Sequence, residues 1–186
     1  MPLRVEDYAL VGDLQTGALV GRDGSIDWLC FPRFDSPACF AALLGDARNG
    51  RWKIAPAGEI LRSERRYVEG TLVLETDLHT AEGAVRLIDF MPPRGQAPDV
   101  VRIVRGLSGR VELELELVLR FDYGRVVPWV RRHERYRRAI AGPDAVRFDA
   151  GVPVRGEKLT TRASSAKPPE SSAISVSVAS RSQQYR

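Results

Sequence analysis

Residues 7–40 read DYALVGDLQTGALVGRDGSIDWLCFPRFDSPACF, and no other stretch of the sequence is as informative about the fold. Two short apolar runs lie on either side of an Arg22-Asp23-Gly24 turn. Glycine adopts a positive φ without steric cost and aspartate tolerates one, so the turn predicts a β-hairpin. The second run continues into PRFDSP at 32–37, where a cation, an aromatic ring and a carboxylate alternate between two prolines. Because prolines restrict the backbone, the loop is predicted to present its side chains to a partner.

Segments with strand periodicity follow one another through most of the remaining chain. In the clearest one, at 111–121, valine, leucine and phenylalanine occupy one face and three glutamates the other. Strict alternation over this length predicts a half-buried antiparallel strand. Like charges on one face repel, so Arg102 and Arg105 are predicted to lie opposite the glutamates. Further strands are predicted at 70–80, 84–91, 100–107, 131–140 and 145–148, with a turn at 141–144.

A single short helix is predicted, near residues 37–44. Ser36 suits its N-cap, Pro37 its first position and Gly45 its C-terminal end. The rest of the chain indicates about eight to eleven strands separated by glycine and proline. The sequence therefore predicts an all-β fold, an antiparallel β-sandwich of supersandwich-like form with this one short helix.

Composition is typical of a soluble globular protein and excludes some functional classes. The 186 residues suit one domain, and 44% of them are apolar and 28% charged. No segment approaches the roughly 18 apolar residues that span a membrane, and the N-terminus lacks a signal-peptide core. We therefore expect a cytoplasmic protein without membrane contact. The net charge of +4 is too modest to indicate a nucleic-acid partner.

Cysteines and histidines give no sign of a metal or a cofactor. Cys30 and Cys39 lack ligand spacing and are predicted to be small buried residues, with a disulfide or a redox role as the alternative. His79 and His133 lie far apart in the sequence, without other ligands at metal-site spacing. No phosphate-binding or dinucleotide-binding glycine motif is present, so no cofactor and no metal are expected.

The opening stretch resembles a known family. Bacterial glycoside hydrolase family 15 proteins of the glucoamylase and trehalase-like type begin with a DYALIGD-type strand, a DGSIDWLC hairpin and a PRFDSP loop. GRWKIAP at 50–56, LRFDYG at 119–124 and PWV at 128–130 are similar to later motifs of the same family. The resemblance covers roughly residues 5–161, with its motifs in family order. It implies an N-terminal β-sandwich, which in the family precedes a longer (α/α)6 barrel with two catalytic glutamates.

By this resemblance the chain is the accessory domain of an inverting α-glucoside hydrolase of carbohydrate metabolism, without its catalytic barrel. The chain alone is then expected to be inactive. Its partner is the barrel, which binds a starch-like glucan, a maltooligosaccharide or trehalose. The surface meant for the barrel would be exposed and would favour self-association. Two alternatives remain: a stand-alone carbohydrate-binding module with exposed aromatic residues on a flat face, and a basic nucleic-acid-binding β domain.

The last residues differ in composition from the rest. Residues 163–186 contain eight serines and a KPP break at 167–169. Such a segment buries too little apolar surface to offset its ordering entropy, so a disordered tail is predicted after a domain at 1–162. The one strand that its pattern allows is a weak one at 174–178. The resemblance stops near Thr161, and we hypothesise a shift of reading frame there that truncates the product.

The strongest candidates for an interaction site are Trp28, Arg33, Phe34 and Asp35. In one interpretation the aromatic residues, Phe31 among them, fill the core, while Arg33 and Asp35 pair and rigidify the loop. In another the loop docks on the missing barrel near its sugar pocket, since interface anchors are enriched in Trp, Tyr and Arg. Direct sugar binding by the domain is the third interpretation.

No catalytic residue is predicted in this chain. Glycoside hydrolysis needs two carboxylates, about 6.5–9.5 Å apart in an inverting enzyme. Asp27 and Asp35 flank a common segment, but single carboxylates in loops more often form caps and turns. The carboxylates considered are Asp7, Asp27, Asp35, Asp89 and Asp122.

The most basic segment, 131–138, holds five arginines with one histidine, one tyrosine and one glutamate. Arginines interleaved with an aromatic residue suit nucleic acid. Charged edge strands also protect sheets against aggregation, and we favour a solvated edge or a domain contact. Trp129 beside this segment, like Trp52, is predicted to lie mainly in the core.

Overall fold

Alternating apolar residues build the strands of this protein, as the segment predicted at 111–121 illustrates. The three leucines of strand Glu112–Val118 are buried, whereas Glu112 and Glu114 are exposed. Successive side chains of a strand point to opposite faces, so one face of this strand enters the core. The half-buried strand predicted here is confirmed.

The computed structural model describes residues 3–95, 97–134, 136–150, 152–157, 160–166 and 173–180, with only the backbone described at residue 157 and beyond residue 161. The strands in chain order are β1 Tyr8–Gly12, β2 Gly17–Gly21, β3 Ser25–Cys30, β4 Ala38–Phe40, β5 Arg51–Pro56, β6 Arg62–Tyr67, β7 Leu74–Thr80, β8 Gly83–Phe90, β9 Asp99–Gly109, β10 Glu112–Val118, β11 Trp129–Arg132, β12 Tyr136–Ala141, β13 Asp144–Ala150, β14 Arg155–Glu157, β15 Thr160–Ala166 and β16 Ala173–Ser180. Within these residues, single-turn 3-10 helices are formed by Val5–Asp7, Ala42–Leu44 and Ala47–Asn49.

The described strands pair into two antiparallel sheets of eight strands each. The first has the order β1-β2-β3-β5-β10-β15-β14, with β4 paired to β3, and the second β11-β12-β13-β16-β9-β8-β7-β6. Apolar residues of both sheets form one core between them. Trp52 of β5 is fully buried and meets Phe148 of β13 edge to face, with ring centroids 6.0 Å apart. The antiparallel β-sandwich and the core position of Trp52 are therefore confirmed.

The hairpin predicted around Arg22-Asp23-Gly24 is confirmed as the turn between β2 and β3. Gly24 has a φ of +80°, and its N–H donates to the Gly21 carbonyl at 3.0 Å. The Gly24 carbonyl accepts from the Ile54 N–H at 3.1 Å. The turn thus packs closely on β5: a Cβ at Gly24 would lie 2.1 Å from the Ile54 carbonyl oxygen.

A buried arginine, paired with an aspartate of its own sheet, joins the two sheets. Arg102 of β9 and Asp89 of β8 are fully buried, and Arg102 Nε donates to Asp89 Oδ1 at 2.8 Å. The same guanidinium donates to the Trp52 carbonyl at 3.0 Å and to the Gly24 carbonyl at 2.8 Å. Arg102 therefore crosses the core and ties β5 and the β2–β3 turn to the second sheet.

The prediction that Arg102 and Arg105 face the β10 glutamates is wrong. Although β9 and β10 are consecutive in the chain, they lie in different sheets. The strands that flank β10 are β5 and β15, and Glu116 pairs with Arg51 of β5 at 2.5 Å. The compensating cation therefore comes from a strand that is distant in sequence.

The helix predicted near residues 37–44 does not form as a continuous helix. Its first part is strand β4, and only Ala42–Leu44 form a single 3-10 turn, which Gly45 follows. Both faces of β4 are covered, because Cys39 packs in the main core and Ala38 in a small cluster under Trp28. An extended segment buries consecutive residues on opposite faces, which explains the strand.

The segment predicted as one strand at 131–140 is instead a hairpin. Its strands β11 and β12 pair with Arg131 opposite Arg138. The His133 N–H donates to the Tyr136 carbonyl at 2.9 Å and closes the connection. The chain therefore folds back on itself, and the prediction of one continuous strand is wrong.

Two further predictions concern this region. The turn at 141–144 is confirmed, since it joins β12 to β13. The prediction that Trp129 lies mainly in the core is wrong, because 70% of this residue is exposed on edge strand β11. Arg135 lies outside the described residues.

Strands β15 and β16 include residues of the tail predicted at 163–186. β15 pairs with β10, and β16 lies between β13 and β9. The weak strand predicted at 174–178 is therefore confirmed. Segments 167–172 and 181–186 lie outside the described residues, and the boundary at 162 and the shift of reading frame stay predictions.

Candidate interaction site

The loop at 32–37 is a tight turn at the end of β3. Phe31, which precedes it, is buried in the core. The Ser36 N–H donates to the Arg33 carbonyl at 3.1 Å, and the Arg33 N–H donates to Ser36 Oγ at 3.1 Å. The Arg33 guanidinium donates two parallel hydrogen bonds to Asp35, at 2.9 and 3.1 Å. Both side chains are exposed, and Arg33 holds the pKa of Asp35 below its ordinary value.

The turn between β1 and β2 supports this loop. The Phe34 N–H donates to the Gln15 carbonyl at 3.0 Å. Asp13 is buried, and its carboxylate accepts from the Thr16 and Gln15 N–H groups at 2.8 and 3.0 Å. Arg94, in the segment after β8, donates through Nε to Asp13 Oδ2 at 2.7 Å. One hydrogen-bonded network therefore joins both turns to the second sheet.

This network presents two exposed apolar side chains. Leu14 is 89% exposed and Phe34 is 59% exposed. Together with Gln15, Arg33 and Asp35 they line a shallow depression, which we call the Leu14–Phe34 depression. Leu14 has a φ of +71°, in the left-handed region that non-glycine residues rarely adopt. Backbone strain of this kind is concentrated at functional sites, so the depression is the candidate interaction site.

Trp28 does not belong to this depression. It is half-buried on a small apolar cluster, and its ring centroid lies 6.1 Å from that of Tyr123. The cluster consists of Cys30, Ala38 and Ala41. Of the residues predicted for the site, the structure brings Arg33, Phe34 and Asp35 together and places Trp28 elsewhere.

Asp13→Asn is expected to lower the free energy of unfolding at pH 7 by about 2 kcal/mol, since hydrogen bonds to charged groups contribute about 1.5–3 kcal/mol. Burial raises the pKa of Asp13, but hydrogen bonds from Arg94 and two backbone N–H groups outweigh it and hold this pKa below its ordinary value. The stabilisation is present above the unfolded-state pKa of about 3.9 and is lost as pH falls through the native pKa. Urea unfolding at a series of pH values should show the difference from wild type narrowing below about pH 4.

Asp35→Asn is the matched control for this variant. It also removes a carboxylate from an arginine, but both partners are exposed and screened by solvent. We expect little change in its unfolding free energy at any pH. Equal losses in the two variants, or a difference for Asp13→Asn that widens on acidification, would contradict the role assigned to Asp13.

The carboxylates considered for catalysis each have a partner. Asp27 is buried in β3 and accepts from the Tyr8 hydroxyl at 2.7 Å and the Ser25 hydroxyl at 3.0 Å. Burial and the hydrogen bond to Asp27 raise the pKa of Tyr8. Asp35, by contrast, is exposed in the loop after β3. The other three candidate carboxylates each form an ion pair: Asp7 with Arg22, Asp89 with Arg102 and Asp122 with Arg125.

The described residues also bear on thiol, metal and membrane sites. Cys30 and Cys39 are free and buried, and burial raises the pKa of both thiols, so their prediction as small buried residues is confirmed. Among the described residues, no three His, Cys, Asp or Glu side chains are grouped so as to hold a metal ion. No helix in the described part of the chain is both long and apolar enough to cross a membrane.

Sequence reasoning missed the residues that position the site. GDLQTG at 12–17 carries a usable signal, because an aspartate side chain often caps N–H groups two or three residues further on. Arg94 lies 81 residues from Asp13, and no local pattern marks it. Only the packing of the two sheets brings the end of β8 to the β1–β2 turn.

Comparison with known proteins agrees with this fold. The family described as trehalase-like, N-terminal, matches residues 1–153. The trehalases of Mycobacterium tuberculosis and Mycolicibacterium smegmatis are each 34% identical over 157 residues, with 74% of this chain and 23% of the relative covered. Trehalase 1 of Sulfolobus acidocaldarius is 33% identical over 132 residues, with 71% of this chain and 22% of the relative covered. The chain thus spans about a quarter of the length of these relatives.

The matched region contains the features that define the fold and the candidate site. Residues 1–153 include β1 to β13, the Leu14–Phe34 depression and the buried pair of Arg102 and Asp89. The resemblance drawn from the sequence motifs is confirmed by this match and by the β-sandwich. The chain therefore belongs to the family of trehalase-like N-terminal domains.

Proposed function

We propose that this chain is the N-terminal accessory domain of a trehalase-type glycosidase. The proposal rests on an observation of length. The chain aligns with only about a quarter of the length of relatives that are named trehalases. The chemistry would then reside in the part of the longer protein that this chain does not match. Trehalose or another α-glucoside would be bound there.

The carboxylates of the chain support this division of roles. An inverting glycosidase needs an acid and a base about 6.5–9.5 Å apart beside an open sugar site. Asp27 and Asp89 are buried and hydrogen-bonded inside the sandwich. Asp35 is exposed but already bound by the guanidinium of Arg33. These groups act in folding and in loop geometry rather than in proton transfer to a sugar.

The Leu14–Phe34 depression is the surface that we assign to docking of the catalytic part. Its exposed apolar side chains supply area that a partner would remove from water. The pair of Arg33 and Asp35 at its rim is internally neutralised, so covering it would require less desolvation than covering a lone charge. Phenylalanine and arginine, present here as Phe34 and Arg33, are both enriched in protein interfaces.

Glucose release from trehalose, maltose and soluble starch tests the proposal. The proteins compared are this chain alone, the Mycobacterium tuberculosis trehalase without its matched segment, and a chimera in which the complete chain replaces that segment. We expect no release by the chain alone and more release by the chimera than by the shortened relative. Glucose release by the chain alone would overturn the proposal and make Asp27 and Asp35 the first candidates for catalytic carboxylates. A chimera no more active than the shortened relative would contradict the accessory role.

Phe34→Ser is expected to shorten the half-life of the heated chimera roughly fivefold, since truncating an interface anchor typically costs more than about 1 kcal/mol. The Tm of the isolated chain should hardly change, because this side chain is already mostly exposed. Leu61→Ser is the control, since Leu61 is 63% exposed but lies outside the depression. Equal half-lives for the two variants would remove the depression from the interface.

A further inference from the structure

The outer face of the second sheet carries a row of three arginines. Val146 and Phe148 of β13 point into the core, so Arg147 between them points outward. Arg138 of β12 is directly opposite Arg147, and Arg131 of β11 is directly opposite Arg138. Residues directly opposite each other in antiparallel strands share a face. The three guanidinium groups therefore project from the same surface.

Two aromatic rings accompany this row. The Arg131 guanidinium carbon lies 5.0 Å from the centroid of the Trp129 ring, and that of Arg147 lies 4.2 Å from the centroid of the Tyr136 ring. Trp129 is also the most exposed tryptophan that the structure describes. We call Trp129, Arg131, Tyr136, Arg138 and Arg147 the arginine patch.

The positive charge of the patch is only partly neutralised. Arg147 pairs with Asp149 at 2.7 Å, whereas neither Arg131 nor Arg138 has an ion-pair partner among the described residues. Like charges directly opposite each other destabilise a strand pair. The hairpin contains a second such pair, Arg132 and Arg137. Two consecutive repulsive pairs make the hairpin less stable, which indicates that the charges serve a partner rather than the fold.

We infer that the arginine patch binds an acidic protein surface on the catalytic part of the longer enzyme, an inference that rests on the proposed function. Trp, Tyr and Arg are the residue types that contribute most to binding at protein interfaces. The segment immediately before β11 adds two exposed apolar side chains, those of Val126 and Val127. Such a mixture of apolar surface and arginine is typical of protein partners.

The place of the patch in the fold fits a partner in the same polypeptide. The family match ends at residue 153. The Arg137 Nη2 donates to the Val154 carbonyl at 2.6 Å, so the end of the matched region lies beside β12. After residue 154 this chain continues into β14 and β15, so the end of the matched region lies beside the hairpin, and the relatives extend well beyond it.

Charge argues against two other occupants. β11 is an edge strand, and a second copy added along it would bring the arginines of both copies together. Nucleic acid is disfavoured because the carboxylate of Asp149 lies beside the patch, paired with Arg147, and the net charge of the chain is only +4.

Arg138→Glu is the decisive variant, made in the isolated chain and in the chimera. In the isolated chain the new carboxylate faces Arg131 and Arg147, so the Tm should equal or exceed that of wild type. In the chimera the same change should shorten the half-life on heating about tenfold, because it opposes an acidic partner with a like charge. Arg105→Glu, on β9 four strands away from β11, is the control and should leave this half-life unchanged.

Hydrogen exchange at β11 and β12 reports the contact directly. We expect their amides to exchange about tenfold more slowly in the chimera than in the isolated chain, and Arg138→Glu to remove this protection. An active chimera without such protection would overturn the inference and leave the proposed function intact, whereas an inactive wild-type chimera would overturn both. The isolated chain is also tested for binding of a fluorescent DNA duplex and for self-association. If either is observed and Arg138→Glu abolishes it, the inference is overturned and the patch binds nucleic acid or a second copy of the chain instead.

Discussion

Asp89→Ala is expected to lower the free energy of unfolding by about 3–5 kcal/mol, the range found when one partner of a buried ion pair is removed. Arg102 would remain fully buried, and its bonds to the Trp52 and Gly24 carbonyls cannot neutralise its charge. Globular domains are stabilised by only about 5–15 kcal/mol, so this loss brings the sandwich close to unfolding. Urea unfolding followed by tryptophan fluorescence measures it, because the Trp52 ring lies 5.1 Å from the Arg102 guanidinium carbon.

The double variant Asp89→Ala with Arg102→Met separates the charge from the packing. Replacing a buried ion pair by apolar groups of similar volume is often neutral or stabilising. Here methionine also removes the donors to the Gly24 and Trp52 carbonyls, so we expect recovery of part of the loss. A double variant as unstable as Asp89→Ala alone would show that the unpaired charge is not the cause.

Gly24→Ala is expected to lower the free energy of unfolding by about 2–5 kcal/mol, the sum of a left-handed backbone cost and an overpacking cost. The φ of +80° disfavours any L side chain. The added methyl would also lie 2.1 Å from the Ile54 carbonyl oxygen, which is a backbone atom. Moving the turn away would weaken the hydrogen bonds that the Gly24 carbonyl accepts from Ile54 and Arg102.

Gly142→Ala is the matched control for this turn. Gly142 also has a positive φ, +60°, but a Cβ there would meet no atom within 4 Å. We therefore expect only the backbone cost of about 1–2 kcal/mol. Thermal and urea unfolding of the two variants compare them directly. Equal losses would mean that the approach of the β2–β3 turn to β5 contributes nothing to stability.

Strands and turns could be predicted from the sequence because their causes are local. The alternation at 111–121 shows which side chains of β10 enter the core, whatever lies beyond it. The turn residues Gly24 and Gly142 both occur where the backbone needs a positive φ. The helix prediction for 37–44 was wrong because a short helix and a strand covered on both faces can have the same run of consecutive apolar residues.

The candidate site was predicted only in part, for a related reason. The loop that carries Arg33, Phe34 and Asp35 is compact in sequence, so its proline-bounded pattern was visible. The residues that support this loop could not be predicted, since Asp13 and Arg94 meet only through the packing of the two sheets. Trp129 was also misjudged, because an aromatic residue at a sheet edge has the same composition signal as one in the core.

The all-β class, the β2–β3 hairpin, the buried cysteines and the family to which the motifs belong could all be inferred from the sequence. Which charges meet depends on the tertiary structure, which brings Arg102 to Asp89 in the core and Arg94 to Asp13 under the loop. It also sets three arginines side by side on the outer face, where only Arg147 has an ion-pair partner among the described residues. These contacts depend on the desolvation of each group and on neighbours distant in the chain. Burial determines whether a charge needs a partner, and no local pattern of residues encodes burial across two sheets.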